Sequence, residues 1–283
     1  MTETLILLWK TLCLRPYVFV FLAVFLVAGI TTMGWIRTLS FWAITWMVAF
    51  LCELSSTRNG FPFGLYHYNG STVGQELYLW NVPFMDSLSF SFLTFASYSC
   101  ALFFVSPLYK AGWRSQYLDF FSLRWSKRVL WLSTLFMVMV DVVIDPVALR
   151  GDQWFLGSIY HYEYHGYYFG VPLSNALGWA FVGFVGLWIY QWVEKKFLNQ
   201  TFVDRGFWNL PLKKFYGLGL YGGVLGFMYG VSWWISEKAL LISGVFIFLI
   251  PVALVINRFF DPRIVAHEND WKIYCEEFRL KIR

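Results

Sequence analysis

The sequence predicts an all-α fold: a polytopic membrane bundle of about seven transmembrane helices, organised as two helix–loop–helix repeats in the same orientation. Three observations carry that prediction. Charged residues make up only 14% of the 283, where a soluble domain carries about 25%. They are also segregated, which leaves apolar runs long enough to cross about 30 Å of hydrocarbon. Finally, one pattern occurs twice, within 53–86 and within 141–179: an acid, a glycine, Tyr-His-Tyr, Val-Pro, and a polar residue three positions after the proline.

Taken in order, the apolar runs fall at 16–35, 39–54, 83–108, 128–148, 172–193, 215–236 and 239–257. Only helices and closed barrels satisfy their backbone in lipid, and continuous apolarity without alternation favours helices. The first run lacks a small-residue cleavage site and is expected to be retained as a helix. The second is short and ends on Glu53. In the fourth, Pro146 disfavours helical geometry at Asp145, so a kink or an end is expected there. The sixth carries Gly219 and Gly223, and Gly222, Gly226 and Gly230, at four-residue spacing. Such a pattern usually marks close helix packing; otherwise it could leave a flat groove for an elongated lipid. Residues 1–257 then form one transmembrane domain, and 258–283 a cytoplasmic tail. Cys13, Cys52, Cys100 and Cys275 show no CxxC spacing, so neither a disulfide framework nor a zinc knuckle is indicated.

Charge placement sets the orientation. Seventeen of the 22 Lys and Arg residues lie at Arg37 and within 110–128, 195–214 and 258–283; Lys10, Arg15, Arg58, Arg150 and Lys238 lie on the other side. The richer side is expected in the cytoplasm. That makes the chain a multi-pass protein of the cell membrane, N-terminus outside and C-terminus in the cytoplasm. It also accounts for the net charge of +5 without a nucleic-acid partner. Both motif loops, 55–82 and 149–171, then share the outer face. Phe61-Pro62-Phe63-Gly64 and Trp154-Phe155-Leu156-Gly157 look able to fold back into the bundle, where irregular backbone is tolerated under protein cover. An interfacial aromatic belt is the plainer alternative.

An ionisable group inside a span costs roughly 2.5–3.5 kcal/mol to insert, so Asp141 and Asp145, one helical turn apart, are candidates for function. Glu53 and Asp86 lie on the same side, and the four carboxylates are expected to meet near the outer third of the bundle. Capping helix ends, or pairing with Arg58 and Arg150, is the competing structural role. His161 and His165 have HxxxH spacing, and with His67 and a carboxylate they would suffice for one metal ion. The segment reads as loop, however, and the chain has only four histidines, so hydrogen-bonded loop histidines are the preferred reading. No Gly-rich turn joins a strand to a helix, and thus no dinucleotide fingerprint is present. No metal and no cofactor is expected.

At this point the motifs resemble a known family. Glu53, the Gly-Phe-Pro-Phe-Gly-x-Tyr-x-Tyr at 60–68, Val82-Pro83, Asp145-Pro146, Trp154, the Tyr-Phe-Gly-Val-Pro-Leu-Ser-Asn at 168–175 and Gly178-Trp179 carry the resemblance. It is to the membrane-embedded carotenoid biosynthesis family that includes carotenoid 1,2-hydratases, and it covers about 40–255. Phe169 departs from the pattern: a tyrosine is expected there, and its hydroxyl would be lost from the pocket.

The resemblance implies cofactor-independent addition of water across the terminal double bond of an acyclic carotenoid. The bilayer and other enzymes of the carotenoid pathway are the expected partners. A carboxylic acid would protonate the alkene to a tertiary cation, aromatic faces would stabilise that cation by roughly 0.5–2 kcal/mol each, and a second carboxylate or a tyrosine would handle the water. Candidate catalytic residues are Glu53, Asp145, Asp141 and Asp86, with Glu53 and Asp145 as the central pair. Candidate substrate-binding residues are Phe63, Tyr66, Tyr68, Trp154, Tyr160, Tyr168, Asn175 and Trp179. Two alternatives stand beside this reading. One is a lycopene cyclase, in which a ring double bond captures the same cation. The other is a non-enzymatic seven-helix carrier or receptor for an apolar lipid; a carrier would be expected to show helices broken at mid-membrane.

Overall fold

The computed structural model describes residues 2–198 and 210–278. In chain order the α-helices are α1 (Thr2–Leu14), α2 (Pro16–Met33), α3 (Trp35–Asn59), α4 (Phe84–Val105), α5 (Phe121–Arg124), α6 (Lys127–Ala148), α7 (Leu173–Val193), α8 (Tyr216–Trp234), α9 (Lys238–Phe260) and α10 (Glu268–Glu277). The seven expected spans correspond to α2, α3, α4, α6, α7, α8 and α9. All but α8 are long and apolar enough to cross a membrane. Of the basic residues that set the expected orientation, Arg205, Arg279, Lys281 and Arg283 lie outside the described residues, as do 279–283 of the expected tail.

Two local expectations are corrected. The second span extends to Asn59, so Glu53 sits well inside α3 and not at its end. Polarity misled there: Ser56 and Thr57 are buried in protein, and Ser56 Oγ accepts the Phe63 N–H at 3.0 Å. Gly60, at φ +81°, then ends the helix in a left-handed conformation that suits glycine. The fourth span, by contrast, reaches Ala148 as expected, with Pro146 inside the last turn of α6; the proline removes the one backbone hydrogen bond that its own N–H would have made. On α8, a Cβ at Gly219, Gly222, Gly226 or Gly230 would meet nothing within 4 Å. That stripe is exposed, so it does not mediate close helix packing.

The centre of the bundle is α4. It packs against α3, α6 and α8, and its Ser87, Ser91, Thr94 and Ser97 are buried, small side chains that let neighbouring helices approach. The pairs α3–α4 and α6–α7 are the two repeat units. Their loops meet on one face: the strands Tyr66–Tyr68 and Tyr160–Tyr162 pair antiparallel, with Tyr66 opposite Tyr162, His67 opposite His161 and Tyr68 opposite Tyr160. The duplicated motif therefore pairs with its own copy. Each loop also folds back into the bundle. Phe63 is buried against α7, where a Cβ at Gly178 would lie 2.8 Å from the Phe63 Cα, and Trp154 donates from Nε1 to the Val147 carbonyl at 3.1 Å.

The opposite face is closed by buried charges. Glu194 pairs with Arg37 at 3.0 Å and also with Arg124. Asp119 pairs with Arg124 at 3.0 Å and with Lys214 at 2.6 Å, and accepts the Tyr274 hydroxyl of α10 at 2.8 Å. Burial works against the charge on Asp119, but Lys214 and Arg124 outweigh it and hold the carboxyl below its usual range. Asp119→Asn strips two buried cations of a counterion and is expected to cost about 3–5 kcal/mol. Thermal unfolding of the detergent-solubilised protein reads this directly; an unchanged midpoint would contradict it.

Candidate active site

Under the paired motif strands lies a cavity with about 890 Å³ of empty space, part of it continuous with the outside. Strand alternation explains what reaches it. In Tyr-His-Tyr, successive side chains point to opposite faces. Tyr66, Tyr160 and Tyr162 line the cavity, while His67 and His161 are exposed, with ring centroids 5.8 Å apart and planes tilted by 45°. The helical HxxxH arrangement is therefore not formed: His161 is in a strand, its Nδ1 is 2.6 Å from Asn69 Oδ1, and His165 is exposed outside the strand. Among the described residues, no group of three or more His, Cys, Asp and Glu is placed to hold a metal.

Three of the four candidate carboxylates, Glu53, Asp86 and Asp145, line the cavity, and their surroundings differ. Asp86 accepts the Tyr68 hydroxyl at 2.6 Å and Asp145 the Tyr162 hydroxyl at 2.7 Å. Burial and then Asp145 push the Tyr162 phenol well above its usual range, and burial and then Asp86 do the same for Tyr68. Both phenols thus remain hydroxyl donors. Asp141 is buried one turn away from Asp145 and does not reach the cavity; Asn175 Nδ2 holds both its oxygens at 3.1 Å. Glu53 is different again. It is 2% exposed, and its Oε2 is buried with no hydrogen-bond partner among the described residues.

Of the other expected site residues, Phe63, Tyr66, Trp154, Tyr160, Asn175 and Trp179 line the cavity. Trp179 packs on Phe90 with ring centroids 4.5 Å apart. Tyr68 does not line it but donates its hydroxyl to Asp86, which does. Tyr168 is also off the lining, half-buried beside Phe169. Phe169 faces Arg150, so the expected loss of a pocket hydroxyl at that position does not arise.

Several lining residues were not anticipated. Tyr162 was legible in principle, as the counterpart of Tyr68 in the repeat. Tyr17, Val18 and Phe21 of α2 and Val224 and Met228 of α8 also line the cavity. Nothing local marked them, because an apolar residue facing a cavity reads like one facing lipid. Next to this wall, Arg15 is buried, grips Glu76 at 3.0 and 3.2 Å, and donates to the carbonyl of the lining residue Leu156. That one side chain joins the start of α2 to both motif loops.

The result is a chamber with apolar and aromatic walls and three carboxyl groups, two held by tyrosine hydroxyls and one with a buried oxygen that has no partner among the described residues. Neither curated proteins nor solved structures give a match to the chain. A family model does: that of the carotenoid biosynthesis proteins matches residues 14–250, a stretch that holds every residue of the chamber, and the chain belongs to that family.

Proposed function

We propose that the protein hydrates the terminal double bond of an acyclic carotenoid end group, without a cofactor. Family membership supports a role in carotenoid biosynthesis, with a carotenoid as substrate and the bilayer as its setting. The observation that carries the finer reading is Glu53, a buried carboxyl with an unpartnered oxygen in an otherwise aromatic chamber. If Glu53 were ionised, that buried oxygen would carry charge with no donor among the described residues, a costly state in an apolar site. The neutral acid has a proton to give. Glu53 protonates the less substituted alkene carbon, leaving a tertiary cation on its neighbour. Faces of Phe63, Tyr66 and Trp179 stabilise that cation. Water bonds to it and releases a proton to Asp145, whose carboxylate Tyr162 holds in place. Asp141 and Asn175 support Asp145 from behind. Return of that proton to Glu53 closes the cycle.

Cyclisation would start from the same cation. The polar groups at the carboxylate end, Asp86, Asp145, Tyr162 and Asn175, supply hydrogen-bond partners for a water, which favours hydration. Pigment analysis of a host that makes acyclic carotenoids tests the reading. A hydroxylated product supports it, a cyclised isomer replaces it with the cyclase, and no new pigment replaces it with a binding protein.

Activity should survive exhaustive chelation and the absence of nicotinamide, given four histidines and no dinucleotide fingerprint; loss on chelation with recovery on adding one metal would overturn this. By the distribution of basic residues, residues 55–82 and 149–171 should face away from the cytoplasm. Accessibility of engineered cysteines in both loops to a membrane-impermeant reagent checks this, and labelling from the cytoplasmic side would reverse the orientation.

A further inference from the structure

We infer that α1 is a membrane-surface anchor whose outward side lies in the lipid of the leaflet nearest the motif loops. Its 13 residues reach about 20 Å at 1.5 Å per residue, too short to cross about 30 Å of hydrocarbon. The helix has two unlike sides. Leu7, Thr11 and Arg15, four residues apart, face the protein: Leu7 is half-buried, and Thr11 and Arg15 are fully buried. Thr11 Oγ accepts the Leu77 N–H at 2.7 Å and Arg15 grips Glu76. Lys10 reaches the Gly74 carbonyl at 3.2 Å from the flank. Leu5, Leu8, Trp9, Leu12 and Cys13 recur at the spacing of one helical face and point away. The four apolar members are 62%, 37%, 66% and 39% exposed.

Continuity identifies what covers that face. Two residues after α1 comes α2, a membrane-crossing helix by length and composition, whose Val20, Val24 and Val27 are likewise exposed. The outward side of α1 thus extends the lipid-facing surface of α2, with polar contacts only on the side turned to the loops. This is the pattern of a helix lying in the interface. All of α1 but its last residue precedes the stretch matched by the family model, so the anchor is a feature of this chain beyond the matched region. It adjoins the cavity wall at Tyr17, Val18 and Phe21, and the inference does not depend on the hydration chemistry.

The native cysteines supply the probe. Cys13 is exposed, whereas Cys52, Cys100 and Cys275 are buried. A nitroxide attached to Cys13 of the full-length protein, in phosphatidylcholine–phosphatidylglycerol vesicles, should collide several-fold more with oxygen, which concentrates in lipid, than with a water-soluble nickel chelate. Cys13→Ser gives the blank, and a label at Tyr167→Cys in that background gives the water reference. Leu5→Glu combined with Trp9→Glu should shift the Cys13 label several-fold toward the chelate. Three results would overturn the inference: chelate collisions at Cys13 equal to those at the water reference, dipolar broadening between labels of two copies, or shielding from both reagents.

Discussion

Glu53→Gln is expected to cut hydration by about 10²-fold or more, the range for a lost general acid. The change keeps the size and shape of a side chain that is 2% exposed while removing its transferable proton. Because the native carboxyl already has a buried oxygen without a partner, the amide disrupts no hydrogen bond to that oxygen. Folded protein should therefore be recovered at near-normal yield. Turnover per unit of folded protein separates the two effects, and near-normal hydration would remove Glu53 from the mechanism. Asp86→Asn provides the comparison. It should be milder, because Asn175 already stands at the equivalent place in the second repeat; a loss confined to Asp86→Asn would move the acid to α4.

Asp145→Asn is expected to lower hydration by a similar factor, about 10²-fold or more, for a different reason. An asparagine oxygen can still accept from Tyr162, so the 2.7 Å hydrogen bond and the local packing can persist while the ability to take a proton from water is lost. Tyr162→Phe should be smaller, about 10-fold, from loss of one hydrogen bond to a charged group worth about 1.5 kcal/mol. If Tyr162 acts by holding Asp145, the double substitution will be little worse than Asp145→Asn alone. Additive losses would mean that the phenol acts independently, on the cation or on the water.

Much of this arrangement was legible in the sequence because charge is conspicuous in an apolar span. Asp141, Asp145 and Asp86 stood out at once, and the repeat showed that the two loops belong together. Glu53 stood out too, although the sequence placed it at a helix end: the polar stretch after it, Ser55 to Arg58, continues α3, with Ser56 and Thr57 buried. The differences among the carboxylates could not be read. They depend on side chains far away in the chain, such as Tyr68 reaching Asp86 and Asn175 reaching Asp141. The ionic closure of the other face is likewise long-range, since Glu194 is paired with Arg37 and Arg124. The wall supplied by α2 and α8 left no local mark at all. The HxxxH spacing implies a shared face only on a helix, and the sequence already read the segment as loop; what it did not show is that Tyr160–Tyr162 forms a strand, where a period of two sends tyrosines in and histidines out.

Water is the proposed nucleophile in this chamber. Purified protein in vesicles, given an acyclic carotenoid in ¹⁸O-labelled water under an oxygen-free atmosphere, should yield a tertiary alcohol in which one ¹⁸O from water is added to the end group, formed by wild type and sharply reduced in Glu53→Gln. A cyclised isomer free of ¹⁸O, or an unchanged carotenoid, would rule out hydration.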